Sequence, residues 1–232
     1  MGRPGQQKQG AEGTLATMKM DYQRHARNRM FENDFLEFTS NIHPATPFVV
    51  YIPVVVGLLA YGLVQGLTRW TAVAVCFPLG WLTWDLAEYV IHRWWFHWEG
   101  NGPFTRKLHD IIHGYHHMYP DDPLRLVMPL GASIPLALLI GGALYLVGAP
   151  AVTIPGFAGF VSGYLFYDFT HWSTHARTPR TPWGKAIRGH HMAHHFADNT
   201  KNFGISHRWI DALVGTLRRR EARDFESSRE AA

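Results

Sequence analysis

Several familiar chemistries are missing from this chain of 232 residues. It has one cysteine, Cys76. That excludes a disulfide framework within the chain, a Cys-based zinc finger and a thiolate-held iron–sulfur cluster. No His is followed by Glu, so the HExxH pattern of zinc hydrolases is absent. Charge is scarce as well: 17% of residues are Asp, Glu, Lys or Arg, against about 25% in an average soluble domain. No charged residue lies between Phe38 and Thr68, and none between Leu126 and Tyr167. The first 46 residues carry charges throughout, so no secretory signal is expected there. Aromatic residues make up 14% of the chain, which rules out disorder along its whole length.

The charge-free runs set the expected architecture. A helix crossing a bilayer needs about 20 apolar residues. Four spans are expected, at about 48–67, 71–91, 126–147 and 149–167. The second is interrupted by Asp85 and Glu88. Buried core helices are the alternative, but these runs exceed what a globule of 26.4 kDa usually buries. Ahead of them, residues 1–14 read as a disordered N-terminus. Residues 15–46 read as an amphipathic helix and lead-in, lying on the membrane surface or packed on the protein's own polar part.

With four spans, the exterior receives only two short links, near Thr68–Trp70 and Gly148. Of 22 Lys and Arg, Arg69 alone falls in them. The positive-inside rule then places both termini in the cytoplasm, together with 92–125 and 168–232. The net charge of +4 is explained by that bias and needs no nucleic acid. The tail 218–232, with Arg218–Arg220, reads as a solvated basic patch facing anionic lipid. The fold class expected is an all-α integral membrane protein: four transmembrane helices capped by a cytosolic, helical, histidine-rich metal domain.

What the chain has in excess is histidine. It carries 15, and twelve of them lie between 92 and 195, outside the four spans. His113, His116 and His117 are spaced for one helix face, as are His191, His194 and His195; His171 and His175 form an i, i+4 pair. His92 and His97 are five apart, about 140° on an ideal α-helix, which suits a site where a helix ends and the chain bends. Ten imidazoles exceed the needs of one ion and suit two, with about five nitrogens each; such ligation favours Fe, Zn or Cu. Glu88 and Asp168 are placed to accept the second ring N–H of His92 and His171. Tyr167 lines the site or belongs to an interfacial belt. His109 and His190 read as outer shell, His207 as a surface residue, and Asp121, Asp122 and Arg125 as the substrate mouth or a turn.

These motifs, in order, resemble a known family. Glu88–His97 with its HRWWFH core, His113-Gly-Tyr-His116-His117, Arg125-Leu-Val-Met-Pro129, Gly163-Tyr-Leu-Phe-Tyr-Asp168, His171-Trp-Ser-Thr-His175, His191-Met-Ala-His194-His195-Phe196 and Phe203-Gly-Ile-Ser206 with Trp209 and Asp211 are similar to the fatty acid hydroxylase/sterol desaturase superfamily, closest to the fatty acid 2-hydroxylases. The resemblance, over roughly 35–217, implies a hydroxylase domain at 47–217. It implies a membrane-bound di-iron monooxygenase that hydroxylates a lipid acyl chain at C2, as in a ceramide or sphingolipid, using O2. Its cofactors would be two Fe ions, with Zn as an occupant on purification. The motif ligands carry over to His92, His97, His113, His116, His117, His171, His175, His191, His194 and His195. Many eukaryotic members carry a fused cytochrome b5 with an HPGG haem motif. Here His43-Pro44 continues as Ala-Thr, so a separate electron donor of cytochrome b5 or ferredoxin type, with its reductase, is expected. The family's RLV-x-PP is Arg125-Leu-Val-Met-Pro-Leu130 here, so the substrate-entry region departs from the pattern. The membrane would be the endoplasmic reticulum in a eukaryote or the inner membrane in a bacterium. Rival readings are a relative acting on a sterol, carotenoid or other lipid, and a metal transporter, which would place its ligands near the bilayer midplane.

Overall fold

The computed structural model describes residues 29–218. The expected disordered start, the larger part of the surface helix, and Arg219 and Arg220 lie outside these residues. Every regular element among the described residues is helical. The order is α1 (Asp34–Ser40), α2 (Thr46–Val64), α3 (Trp70–Val90), α4 (Pro103–His109), α5 (Tyr115–Met118), α6 (Leu130–Val147), α7 (Pro150–Ala176), α8 (Pro182–Phe196) and α9 (Trp209–Val214). Two π-helical segments interrupt this series, Ile91–Phe96 after α3 and Asp110–Gly114 between α4 and α5.

The local chemistry explains most boundaries. Asn33 caps α1 by accepting from the Phe35 and Leu36 amides. α2, α4, α7 and α8 each begin with Pro in the first turn, where its missing N–H costs nothing. α9 stops at Gly215, whose φ of 74° terminates the helix in the left-handed region. Each of the four long helices also contains an internal proline: Pro53, Pro78, Pro135 and Pro155. An internal proline removes one hydrogen bond from the helix ladder and favours a bend there.

Two of the four expected spans meet the test of length and apolar composition. These are α2 and α6, both largely exposed along their apolar length. Val64, Leu138, Leu146 and Val147 all face outward. An apolar helix exposed on nearly every side has its partner in lipid, which makes both helices candidate membrane spans. α3 and α7 are longer, at 21 and 27 residues, yet less apolar. α3 buries Asp85 and Glu88, and α7 carries Asp168, His171 and His175 near its end. At 1.5 Å per residue α7 is about 40 Å long, more than the hydrocarbon core of about 30 Å requires. The helix expected over 149–167 thus continues without a break into the histidine region.

α3 and α7 pack along most of their length, with α2 against α7. The contact is backbone to backbone. A Cβ placed on Gly80 would lie 1.9 Å from the Gly156 carbonyl oxygen, and one on Gly159 2.0 Å from that of Phe77. One turn on, a Cβ at Gly163 would lie 2.7 Å from the Trp84 Cβ. Glycine, with no Cβ, allows this approach of the two backbones. Trp84 then packs edge-on against Phe160, Tyr164 and Tyr167. The pairing sets where His92, just beyond α3, and His171 and His175, near the end of α7, can sit.

Candidate metal centre

Four pieces of chain converge on one buried cluster. The first is the π segment after α3. Its i→i+5 bonding widens the turn, so residues five apart come to the same side. His97 caps the segment with φ −93° and ψ 9°, and its Nε2 lies 3.3 Å from that of His92. The bend expected from the His92/His97 spacing is thus a π turn. A second π turn carries His113 and runs straight into α5, which holds His116 and His117. α7 supplies His171 and His175, and α8 supplies His191, His194 and His195.

The ten rings sort into two groups of five. One is His92, His97, His113, His117 and His194; the other is His116, His171, His175, His191 and His195. Within each group one nitrogen from every ring lies within 4.8 Å of all the others. Adjacent Nε2 atoms are close: His92 to His113 3.1 Å, His97 to His194 2.9 Å and His113 to His117 2.9 Å in the first group. In the second, His116 to His171 is 2.9 Å, His175 to His191 2.8 Å and His191 to His195 3.1 Å. Nitrogens bound about 2.1 Å from one ion and about 90° apart would be about 3 Å from each other. Each HxxHH run divides between the groups: His113 and His117 go to the first and His116 to the second, while His194 goes to the first and His191 and His195 to the second. The His117 and His195 rings stack at 4.2 Å, so the two groups touch.

Electrostatics keep these rings ready to ligate. Burial, and then repulsion from neighbouring imidazoles, holds His113, His117, His191 and His195 well below the usual histidine value. Burial pushes His97 down to about 3, and His171 and His194 down to about 4. Neutral imidazole is the form that binds a metal. Backbone carbonyls set the tautomers of three of the ten rings. Nδ1–H of His92 donates to the Phe203 carbonyl, that of His171 to Leu126 (2.8 Å) and that of His194 to Lys201 (2.7 Å). Each Nε2 lone pair is then free to point into the cluster. The donor set and its spacing therefore fit two metal ions.

Some expected roles change. Glu88 does not reach His92. It accepts from the Ile205 and Ser206 amides and the Ser206 hydroxyl instead. Asp168 is buried beside the cluster, but the Leu126 carbonyl takes the place expected for it on His171. Tyr167 is buried, with its ring parallel to His171 at 5.9 Å. His190 sits outside both groups, its Nε2 3.0 Å from Asp211. His109 also lies outside them, 3.5 Å from Asp110. His207, expected at the surface, is half-buried and paired with Asp85 at 3.2 Å, and that ion pair raises its pKa. Arg125, read as part of a substrate mouth or of a turn, lies in the turn before α6; it is held by Glu37, Ser40 and Asp122 and lies over the Tyr115 ring, tying α1 to that turn. The carbonyls of Leu126, Lys201 and Phe203 had no signal in the sequence, since every residue has a carbonyl.

The fatty acid hydroxylase family matches this chain over residues 77–216, a range that holds all ten histidines. The chain belongs to the fatty acid hydroxylase family. It is 36% identical over 190 residues to the dihydroceramide fatty acyl 2-hydroxylase FAH2 of Arabidopsis thaliana, covering 82% of this chain and 79% of that one. It is 34% identical over 212 residues to the fatty acid 2-hydroxylase of Homo sapiens, covering 82% of this chain and 56% of that one. Among solved structures it is similar to full-length scs7p, of which only the hydroxylase domain is visible. The TM-score is 0.75 at 28% identity, over 80% of this chain and 70% of that one. As a fatty acid hydroxylase the chain is an oxidoreductase, and its histidine groups belong to a metal-dependent family.

Proposed function

We propose that this hydroxylase inserts one oxygen atom from O2 at C2 of a fatty acyl chain, with a ceramide or other sphingolipid as its carrier. The observation that carries the reading is the pair of five-nitrogen groups in contact with one another. In balanced form, an acyl C–H, O2, two electrons and two protons give an acyl C–OH and water. Two iron ions, held by His92, His97, His113, His117 and His194 and by His116, His171, His175, His191 and His195, would supply O2 reduction and C–H cleavage. Zinc fits the same donors but has no redox chemistry. Both electrons would come from a separate carrier of cytochrome b5 or ferredoxin type and its reductase.

The chain's own part is placement and exclusion. Tyr51, Trp84, Met128, Leu136, Phe160 and Tyr164 line an apolar recess among α2, α3, α6 and α7. Tyr167 would limit the motion of His171 by stacking on it. A site where α7 leaves the bilayer reaches carbons beside a lipid headgroup sooner than mid-chain carbons, which favours C2. We take α3 and α7 as the remaining two spans, with both termini and the histidine cluster on the cytoplasmic side, in the endoplasmic reticulum of a eukaryote or the inner membrane of a bacterium. The Lys/Arg bias supports that orientation.

The test is lipid mass spectrometry after expression in a host without 2-hydroxy lipids, supplied with a reductase and a carrier. Acyl chains 2-hydroxylated by the intact protein and not by His175→Ala support the reading. Oxygen appearing on a sterol, a carotenoid or another acyl carbon refutes the substrate assignment.

A further inference from the structure

The loop between α8 and α9 is held on one side by two carboxylates and itself holds two imidazoles on the other. Four consecutive backbone amides point at carboxylate oxygens. Those of Phe203 and Gly204 donate to Asp211 Oδ1 and Oδ2, at 2.9 and 2.8 Å. Those of Ile205 and Ser206 both donate to Glu88 Oε1, at 3.0 and 2.8 Å, and the Ser206 hydroxyl takes Oε2. Glu88 is 4% exposed and Asp211 fully buried, so neither carboxylate has water as an alternative partner. Thr216 and His190 complete the shell of Asp211. Asn202 turns the chain into the loop with φ 59° and donates to the His190 carbonyl. At Gly204 a Cβ would lie 2.2 Å from the His207 carbonyl oxygen and 2.9 Å from Asp211, so a side chain would push the loop off its carboxylates.

The same loop presents carbonyls in the other direction. Phe203 accepts from His92 and Lys201 from His194. Both rings belong to the first group of five. In the second group, His171 is oriented by Leu126, which lies before α6 and outside this loop.

We propose that Glu88 and Asp211 are positioning residues for the first histidine group alone, and that they act through the loop 201–206. Bonds to a charged acceptor are about twice as strong as neutral ones, and a buried carboxylate left without donors is costly, so carboxylates and loop hold one another in place. Loss of either carboxylate as an acceptor lets the Phe203 and Lys201 carbonyls move. His92 and His194 then lose both the tautomer and the aim that direct Nε2 into the group. Loss of such an orienting partner weakens a metal site by about 10–100-fold. The two ions are therefore separable, and the carboxylates tune one of them.

The proposal rests on the two-metal reading, and its test separates the two. The full chain, purified in detergent, is loaded anaerobically with Fe(II), freed of excess and assayed by elemental analysis. Wild type is expected to hold about two irons, and Glu88→Gln and Asp211→Asn about one, given that loss of affinity. Double variants report which site is lost. With His97→Ala, in the same group, Glu88→Gln should add nothing further. With His175→Ala, in the other group, it should take the iron content close to zero. Equal further loss in both backgrounds, or two irons retained by both single variants, overturns the assignment. Wild type binding fewer than two irons overturns the two-metal reading itself, before any variant is compared. Where Glu88→Gln fails to fold, Ser206→Ala and Gly204→Ala disturb the loop and leave both carboxylates in place. They should weaken one of the two iron-binding steps and leave the other unchanged; a shift in both steps, or in neither, counts against the proposal.

Discussion

Gly159 and Gly156 lie one turn apart on α7, and replacing each with Ala should have opposite effects. A Cβ at Gly156 would meet nothing closer than the Cys76 carbonyl oxygen at 3.9 Å. That is ordinary contact, so Gly156→Ala should gain the helix preference of Ala over Gly, up to about 1 kcal/mol. A Cβ at Gly159 would sit 2.0 Å from the Phe77 carbonyl oxygen and 2.8 Å from its carbon. Carbon and oxygen ordinarily approach to about 3.3 Å, so the overlap is about 1.3 Å. Backbone atoms form this contact, and no rotamer change relieves it. α3 and α7 must therefore part by about 1 Å, and a gap of that size forfeits about half of each dispersion contact along the seam.

Overpacking of this kind costs about 1–3 kcal/mol, and a backbone clash belongs at the upper end. After the gain in propensity, Gly159→Ala should lose about 2 kcal/mol. The two variants should then differ by about 3 kcal/mol, or about 6–12 °C in melting temperature for a chain of this size. The functional loss should be steeper. His92 follows α3, and His171 and His175 end α7, so the seam sets the spacing of both groups. A displacement near 1 Å costs catalysis about 100-fold. The assay is thermal unfolding in detergent beside hydroxylated product for both variants. If Gly159→Ala is as stable and as active as Gly156→Ala, the close α3–α7 contact is not the one described.

His116→Ala and His117→Ala, neighbours in sequence, should each remove about one of two metals, yet the double variant should lose about both, because the two rings serve different groups; loss of the same single ion in all three would refute the division. The metal-stripped protein should be most stable above about pH 6.5, the ordinary histidine value. Its buried rings titrate lower in the fold, down to about 3 for His97 and about 4 for His171 and His194, so the unfolded chain binds more protons as pH falls through that window. Stability should then decline from about pH 6.5 toward 3–4, and a melting temperature flat over that range would contradict the buried, neutral rings. A reporter fused after Val147 should map outside the cytoplasm and one at the C-terminus inside it; a C-terminus outside would overturn the proposed topology.

The long helices and the ten histidines were legible because each has a periodic signal. Charge-free runs mark where water is excluded, and spacings of three and four mark a helix face. The departures arise where the physics has no residue type attached to it. His92 and His97 looked mismatched on an α-helix because the turn between them is a π turn, and nothing in HRWWFH announces one. Glu88 and Asp168 attracted the role of orienting His92 and His171 because carboxylates are visible in a sequence. The groups that perform it are the carbonyls of Phe203 and Leu126, which are not. His207 looked like a surface residue in isolation, and it became a partner only because the loop is drawn back onto α3, within reach of Asp85. The same fact explains the rest of the loop. In its FGIS stretch four amides in a row donate to carboxylates, and Gly204 has no room for a Cβ. Backbone geometry is thus the constraint at this site, and residue identity records it only indirectly, through Gly204, Glu88 and Asp211.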